Sequence, residues 1–194
     1  MNPLLIWLAD PFFVHPRGWR GRLGGKLMEH RHLGQERWAV RRSEVRPGAR
    51  VLAIGHGPGI GLELAADAVG PGGQVIGVEP SEVMREAAAR RCAAHIAAGT
   101  VVLRDGSAEC TGCADGCIDV ATSVNNVMMW DLAAAFAEIR RVLRPTGSLV
   151  ITAHRYLLNQ PAEQVVADAR QAGFADAWIL SADHGPVEII ARRS

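Results

Sequence analysis

A chain of 194 residues is long enough to fold as one domain with a sizeable buried core, so we expect no need for disulfide or metal staples. Its 21 Lys and Arg side chains balance 20 Asp and Glu, and the net charge of +1 argues against a protein built as a whole to bind nucleic acid. The apolar amino-terminal stretch is too short to span a bilayer and lacks the order of a signal peptide. We therefore predict a cytoplasmic protein with no transmembrane segment.

The first 46 residues are predicted to form a helical cap. The stretch NPLLIWLADPFFVHP is apolar but broken by prolines, and residues 3–9 are predicted to form a short amphipathic helix. This helix would pack on its own domain or on a second subunit, giving a homodimer. Residues 17–45 have helical spacing, with Gly34 expected to separate two helices. Ten Lys or Arg against three acids between His15 and Arg50 could attract an anionic substrate or a membrane surface, or could form an ordinary solvated helix face.

From Pro47 onward, apolar β-branched runs alternate with helical patterns, so residues 47–194 are predicted to form one compact domain. The predicted strands are 50–54, 74–78, 100–103, 118–122, 148–153, 175–180 and 187–191. The predicted helices are 60–69, 81–98, 131–143 and 161–172. This alternation predicts an α/β, Rossmann-like fold, with a mostly parallel seven-stranded sheet and helices on both faces.

The glycine-rich stretch RVLAIGHGPGIG, residues 50–61, joins the first predicted strand to the first helix of this domain. Alternate glycines allow unusual backbone angles and close approach of a ligand, and the free N–H groups of a helix start would face the crevice above the strand. The G-x-G-x-x-G spacing of dinucleotide sites fails in both registers, at Ile60 and at Leu62, which disfavours an NAD(P)-dependent oxidoreductase. An ordinary tight turn remains the alternative to a ligand site.

The glycine run, as IGHGPGIG, resembles motif I of class I S-adenosylmethionine-dependent methyltransferases, especially small bacterial members. The later stretch IDVATSVNNVMMWDLAAAFAEIRRVLRPTGSLVIT resembles strand 4, the active-site turn, helix D and the entry to strand 5 of that family. The resemblance implies S-adenosylmethionine as cofactor, S-adenosylhomocysteine as product and a small-molecule acceptor. It places Gly55, His56, Gly57 and Gly59 against the cofactor.

Two further motifs extend the resemblance to the adenosine end of the cofactor. In VIGVEPSEVMREAA, Glu79 ends the second strand, where a carboxylate can accept both hydroxyl groups of a ribose. The resemblance implies that Glu79 binds the ribose and that Pro80 and Met84 line the adenine. In VVLRDGSAE it implies that Ser107 and the backbone of Ala108 meet the adenine edge.

The residues that would carry catalysis are ambiguous in this sequence. Methyl transfer from a sulfonium mainly requires alignment, and a general base only if the acceptor arrives protonated. Asn125 follows strand 4 and could orient the substrate or the methionine group, or could be a turn-stabilising amide. The other candidates are His32 on the cap, and His154 and Tyr156 after strand 5. For each of them an ordinary structural role is the alternative. A repurposed S-adenosylmethionine-binding protein on the same fold is therefore the second functional hypothesis.

Two departures from the family pattern lie within motif I. Ala53 stands where the family usually has Glu or Asp, which helps to hold the methionine amino group, and His56 stands where a small residue or Cys is common. Four cysteines also raise a metal hypothesis. Three of them follow C-x2-C-x3-C spacing, but no fourth ligand lies nearby, so we predict reduced structural thiols and no metal. The four cysteines are Cys92, Cys110, Cys113 and Cys117, of which the last three form the motif.

Overall fold

The computed structural model describes residues 33–180 and 186–193. Residues 33–42 are helical and are labelled α1, and Gly34 is the second described residue of this segment. The prediction that Gly34 separates two helices stays a prediction, because the residues before 33 lie outside the described part of the chain. The candidate His32 and the apolar helix predicted at residues 3–9 lie outside the described residues. The division of the chain at residue 46 stays a prediction. Among the described helices, none combines the length and the apolar character that crossing a membrane requires.

Seven strands and six helices of at least five residues follow one another in the described part of the chain. The strands are β1 (Arg50–Ile54), β2 (Gln74–Val78), β3 (Val101–Arg104), β4 (Ile118–Val124), β5 (Leu143–His154), β6 (Asp176–Ile179) and β7 (Pro186–Arg192). The helices after α1 are α2 (Ile60–Val69), α3 (Glu82–Arg91), α4 (Ala93–Ala97), α5 (Leu132–Val142) and α6 (Ala162–Gln171). Short 3-10 turns at Val127–Met129 and Arg155–Leu157 follow β4 and β5.

The strands form one sheet in the order β3-β2-β1-β4-β5-β7-β6, in which β7 runs antiparallel to both β5 and β6 and all other pairs are parallel. The chain moves outward from β1 to β3 and then returns to place β4 on the other side of β1. The carboxyl ends of β1 and β4 therefore flank a topological switch point, where open α/β sheets bind ligands. The predicted fold class, with its mostly parallel seven-stranded sheet, is confirmed.

Two predicted elements differ in detail from the structure. The helix predicted over 81–98 is divided into α3 and α4 at Cys92, whose ψ of 18° departs from helical geometry. Cys92 is fully buried and its thiol lies 3.7 Å from the Gly59 carbonyl oxygen, so the chain bends where α3 packs under the glycine-rich turn. β5 begins at Leu143 rather than 148, because Leu143 pairs with Ile118 before a register shift in β4.

The core consists of one apolar layer on each face of the sheet. On one face, Val51 and Ala53 of β1 pack with Leu62 of α2, and Val40 of α1 covers the same layer. On the other face, Leu52 and Ile54 pack in the layer that contains α5 and α6. Burying a large apolar side chain contributes about 1.5–3 kcal/mol, so both layers hold β1 and the turn that follows it in a fixed position.

Candidate functional site

The turn between β1 and α2 is built on left-handed glycines. Gly55, Gly57 and Gly59 have φ values of 60°, 52° and 93°, which side-chain-bearing residues adopt rarely. The Gly55 N–H donates to the Val78 carbonyl oxygen of β2 at 2.8 Å, so the turn is tied to the neighbouring strand. Gly61 is different, because it lies inside α2 and is not among the glycines with positive φ.

Asn126, at the end of β4, clamps the glycine turn from the other side. Its side-chain Nδ2 donates to the carbonyl oxygens of Ile54 at 2.8 Å and of Gly55 at 3.2 Å, while its Oδ1 accepts from the Ser123 hydroxyl at 2.7 Å. A side chain at Gly55 would overlap this amide. Sequence reasoning missed Asn126, although a polar residue directly after a buried strand at the carboxyl edge was an available signal.

Glu79 lies beside the turn at the end of β2 and is only 7% exposed. One carboxylate oxygen accepts from the Gly57 N–H at 3.1 Å, and the other accepts from the Ser81 N–H at 3.0 Å. Burial raises the pKa of Glu79, and these two N–H donors together with the Arg85 guanidinium oppose that rise. Because each carboxylate oxygen has two lone pairs, both can accept one more hydrogen bond, which fits the two hydroxyl groups of a ribose.

The residues predicted to line the adenine lie on the β2 and β3 side of the turn. Pro80 is exposed directly after Glu79, and Met84 of α3 is 2% exposed. Ser107 is half-buried and Ala108 is buried in the loop after β3. A Cβ at Gly106 would lie 3.6 Å from the Val78 side chain, so this loop passes over the end of β2. The four predicted residues therefore belong to segments that meet at the same edge of the sheet.

His56 is placed differently from the other predicted cofactor residues. Its ring is 6% exposed, and a Cβ at Gly77 would lie 2.7 Å from its Cδ2, so the ring packs between the turn and β2. Nδ1 hydrogen-bonds with the Gly57 carbonyl oxygen at 2.8 Å and is therefore the protonated nitrogen, while Nε2 has no partner among the described residues. Burial is the main cause that lowers the pKa of His56 to about 4, so the ring is neutral near pH 7. The cofactor contact predicted for His56 stays a prediction, and the burial of the ring favours its backbone for that contact.

The candidates for catalysis meet at the ends of β4 and β5. Asn125 has a φ of 56°, and its Nδ2 donates to Gln35 Oε1 at 2.7 Å while its Oδ1 accepts from the His154 N–H at 3.0 Å. Both ends of the amide are thus used to join α1 to β5. The His154 ring stacks on Tyr156 with centroids 5.1 Å apart, and Tyr156 is 69% exposed. The site therefore has the rings of His154 and Tyr156 at its rim, and an Asn125 amide that already hydrogen-bonds within the fold.

The cysteine loop between β3 and β4 is held by a carboxylate. Glu138 of α5 accepts from the Thr111 N–H at 3.0 Å and the Thr111 hydroxyl at 2.7 Å, and it also pairs with Arg141. Cys113 is buried, whereas Cys110 is exposed. Across residues 33–180 and 186–193, no group of three or more His, Cys, Asp or Glu is arranged to hold a metal ion. The loop is explained by these hydrogen bonds.

Comparisons with known proteins agree with this geometry. A family model described as "Methyltransferase domain" matches residues 52–151. The nocamycin O-methyltransferase of Saccharothrix syringae is 40% identical over 108 residues, 55% of this chain and 38% of that protein. The demethylmenaquinone methyltransferase of Symbiobacterium thermophilum is 34% identical over 121 residues, 59% of this chain and 47% of that protein. The chain thus spans less than half the length of these curated relatives.

Solved structures show the same fold. The crystal structure of a SAM-dependent methyltransferase from Aquifex aeolicus superposes with a TM-score of 0.70 at 17% identity, over 82% of this chain and 89% of that chain. The matched family stretch, 52–151, contains the glycine turn, Glu79 and the Asn126 clamp. The fold, the turn and the family match lead to one conclusion: the chain belongs to the methyltransferase domain family.

Proposed function

We propose that this chain transfers the methyl group of S-adenosylmethionine to a small-molecule acceptor. The observation that carries the proposal is the buried Glu79 carboxylate, which is hydrogen-bonded to the Gly57 N–H and keeps acceptor capacity on both oxygens. A buried carboxylate with this acceptor capacity, beside a glycine-rich turn at the switch point of the sheet, supports ribose binding at Glu79. The proposed cofactor contacts are Gly55, the backbone of His56, Gly57, Gly59, Glu79, Pro80, Met84, Ser107, Ala108 and Asn125.

The acceptor would enter beside the ends of β4 and β5. Met129 is 51% exposed and Tyr156 is 69% exposed, and each lies on a short turn that directly follows one of these strands. Exposed apolar surface next to a polar cleft suits a small organic acceptor. The printed names of two relatives also indicate small molecules, nocamycin in one and a menaquinone precursor in the other.

In this proposal the chain contributes alignment and exclusion of water rather than strong acid or base chemistry. S-adenosylmethionine supplies an activated methyl group, and holding a nucleophile in line with it can contribute up to about 7–11 kcal/mol. The Asn126 clamp and the glycine turn fix the cofactor side, while Asn125 fixes the position of α1 above it. His154 and Tyr156 are the proposed groups for contacting the acceptor.

A second candidate is an S-adenosylmethionine-binding protein without methyl transfer. It is favoured by one observation, that both ends of the Asn125 amide already hydrogen-bond within the fold, to Gln35 and to the His154 N–H. Incubation with methyl-labelled S-adenosylmethionine and a metabolite extract separates the two. Label transferred to an extract component supports the transferase, and tight cofactor binding with no transfer supports the second candidate.

The cofactor site itself is tested by calorimetric titration. We expect micromolar binding of S-adenosylmethionine, weakened at least tenfold in Glu79→Ala, because the ribose hydroxyls lose their acceptor. Glu82→Ala is the matched control, since Glu82 is exposed in the first turn of α3 only three residues away. Preference for a nicotinamide nucleotide, or equal loss in both variants, would refute the proposed site.

A further inference from the structure

Glu36 of α1 reaches the first turn of α2, directly after the glycine turn. α1 precedes β1, and Gln35 near its start hydrogen-bonds with Asn125 directly after β4, so the start of α1 lies near the carboxyl edge of the sheet. Val40, one helical turn later than Glu36, packs in the apolar layer with Ala53 and Leu62. Residues four apart share a helix face, so Glu36 continues this layer toward the edge that holds the glycine turn.

The Glu36 carboxylate lies directly against the first turn of α2. A Cβ at Gly61 would overlap Glu36 Oε2 and would lie 3.1 Å from Cδ. Gly61 does not have the positive φ of the three turn glycines, so its backbone does not require glycine. A side chain at Gly61 would therefore require the Glu36 carboxylate to move from its position against α2.

This carboxylate has no partner in the described part of the chain. Within residues 33–180 and 186–193, no N–H group and no cationic side chain bonds to Glu36, and the first turn of α2 does not cap it. Burial raises the pKa of Glu36 to about 8, and no charged side chain among the described residues offsets that rise. Ionising this carboxyl group is therefore costly without a compensating partner. A cation brought by a ligand would remove that cost.

The position of Glu79 indicates which cation this is. With the ribose at Glu79 and the base toward β3, the rest of S-adenosylmethionine extends the other way, over the glycine turn toward β4 and α1. That end carries a primary ammonium group. Gln35, the neighbour of Glu36, hydrogen-bonds with Asn125 at the end of β4, so α1 borders this side of the turn. Ala53 of β1 faces the same layer and provides no charge.

We propose that the Glu36 carboxylate binds the ammonium group of the cofactor's methionine end, and so supplies from α1 the negative charge that β1 lacks at Ala53. The inference rests on the proposed function, because it requires S-adenosylmethionine in this cleft. Glu36 is then a cofactor-binding residue that selects ligands with an intact amino acid end.

Two ligands that share the adenosine and its 5′ sulfur, and differ in the second group on that sulfur, test this assignment. S-adenosylhomocysteine carries the ammonium group, and 5′-methylthioadenosine lacks the whole amino acid end. Calorimetric titration of the wild-type chain and Glu36→Gln is expected to show a ten- to hundredfold loss of affinity for S-adenosylhomocysteine and less than a twofold change for 5′-methylthioadenosine. Glu63→Gln on α2 is the control, because Glu63 is partly exposed and paired with Arg91 at 3.3 Å.

The proton that Glu36 releases when the ligand binds gives a second measurement. A purely structural role of Glu36 would not produce this release. A carboxyl group with a pKa of about 8 is mostly protonated at pH 7, so binding the ammonium group should release close to one proton. Titrations in phosphate and Tris buffers measure this release, which should disappear in Glu36→Gln and with 5′-methylthioadenosine. Unchanged affinity for S-adenosylhomocysteine in Glu36→Gln, or equal losses for both ligands, would overturn the assignment. Failure of the wild-type chain to bind either ligand would refute the proposed function, and the assignment with it.

Discussion

Replacement of Asn126 by alanine should loosen the glycine turn without changing any glycine. The Asn126 side chain is 4% exposed and joins β4 to β1 across 72 residues of sequence. Asn126→Ala removes the donor to Ile54 and Gly55 and the acceptor of the Ser123 hydroxyl. No other described side chain donates to those two carbonyl oxygens.

The expected cost follows from these bonds. Asn126 makes two short bonds, at 2.8 and 2.7 Å, and two longer ones, at 3.2 Å to Gly55 and at 3.4 Å to the Val124 carbonyl oxygen. A neutral hydrogen bond contributes about 1 kcal/mol net, and a buried polar group left without a partner costs about 1–3 kcal/mol. We therefore expect Asn126→Ala to lower the free energy of unfolding by about 2–4 kcal/mol. Binding of S-adenosylhomocysteine should weaken about tenfold, because the turn loses one of its two anchors.

Urea denaturation followed by circular dichroism measures the stability change, and calorimetry measures binding. Asn159→Ala is the matched control, since Asn159 is exposed and makes one bond, from Nδ2 to the Met128 carbonyl oxygen at 2.7 Å. Its effect should stay within about 0.5 kcal/mol. Ser123→Ala completes a double-mutant cycle with Asn126→Ala, with an expected coupling of about 1 kcal/mol. A loss below about 1 kcal/mol in Asn126→Ala, or a loss no larger than in Asn159→Ala, would refute the clamp.

Three further predictions concern packing and titration. Gly77→Ala should lower the free energy of unfolding by about 1–3 kcal/mol, because the new Cβ would lie 2.7 Å from the His56 ring. The loss should be smaller when Gly77→Ala is made in a His56→Ala background, and urea denaturation of the four proteins measures both losses. The second prediction concerns Glu138. Burial raises the pKa of its carboxyl group, but four hydrogen bonds from Thr111 and Arg141 outweigh burial and lower that pKa to about 2. The folded pKa is depressed below 4.5, so this stability, about 3 kcal/mol, is present above pH 4.5 and is lost as pH falls through 2. Glu138→Gln should therefore differ from wild type at pH 7 and converge with it near pH 2, and a constant difference would contradict the prediction. Burial raises the pKa of Glu36 above its unfolded value, so the folded chain binds more protons between pH 4.5 and 8 and stability falls as pH rises through that window. After allowance for partial exposure, Glu36→Gln should stabilise the ligand-free chain by about 2 kcal/mol at pH 8 and little at pH 4.5, and thermal unfolding at the two pH values checks this.

The strands and the glycine turn were predictable because their signals are local. β1 and β2 match their predicted bounds, since each is a short buried run that ends at a turn or at a polar residue. α2 also begins at Ile60 as predicted, directly after the left-handed Gly59. The boundary at Cys92 was not predictable, because it arises from contact with the turn 33 residues earlier.

The site was predictable in part, for the same reason. The position of Glu79 at the end of β2 follows from strand order, and the structure places its carboxylate beside Gly57. The orientation of the His56 ring depends on the space above Gly77 in another strand, which spacing along the chain does not show. The contact between Glu36 and Gly61 likewise joins two helices whose packing the sequence pattern did not specify.

A crystal structure with bound S-adenosylhomocysteine tests the central claim most directly. The measured quantity is the distance from the two ribose hydroxyl oxygens to the Glu79 carboxylate. We predict distances of about 2.6–3.2 Å for both, with the amino acid end of the ligand lying over the glycine turn. Ribose hydroxyls more than about 4 Å from Glu79, or a ligand bound away from the carboxyl ends of β1 and β2, would contradict the cofactor site proposed for this chain.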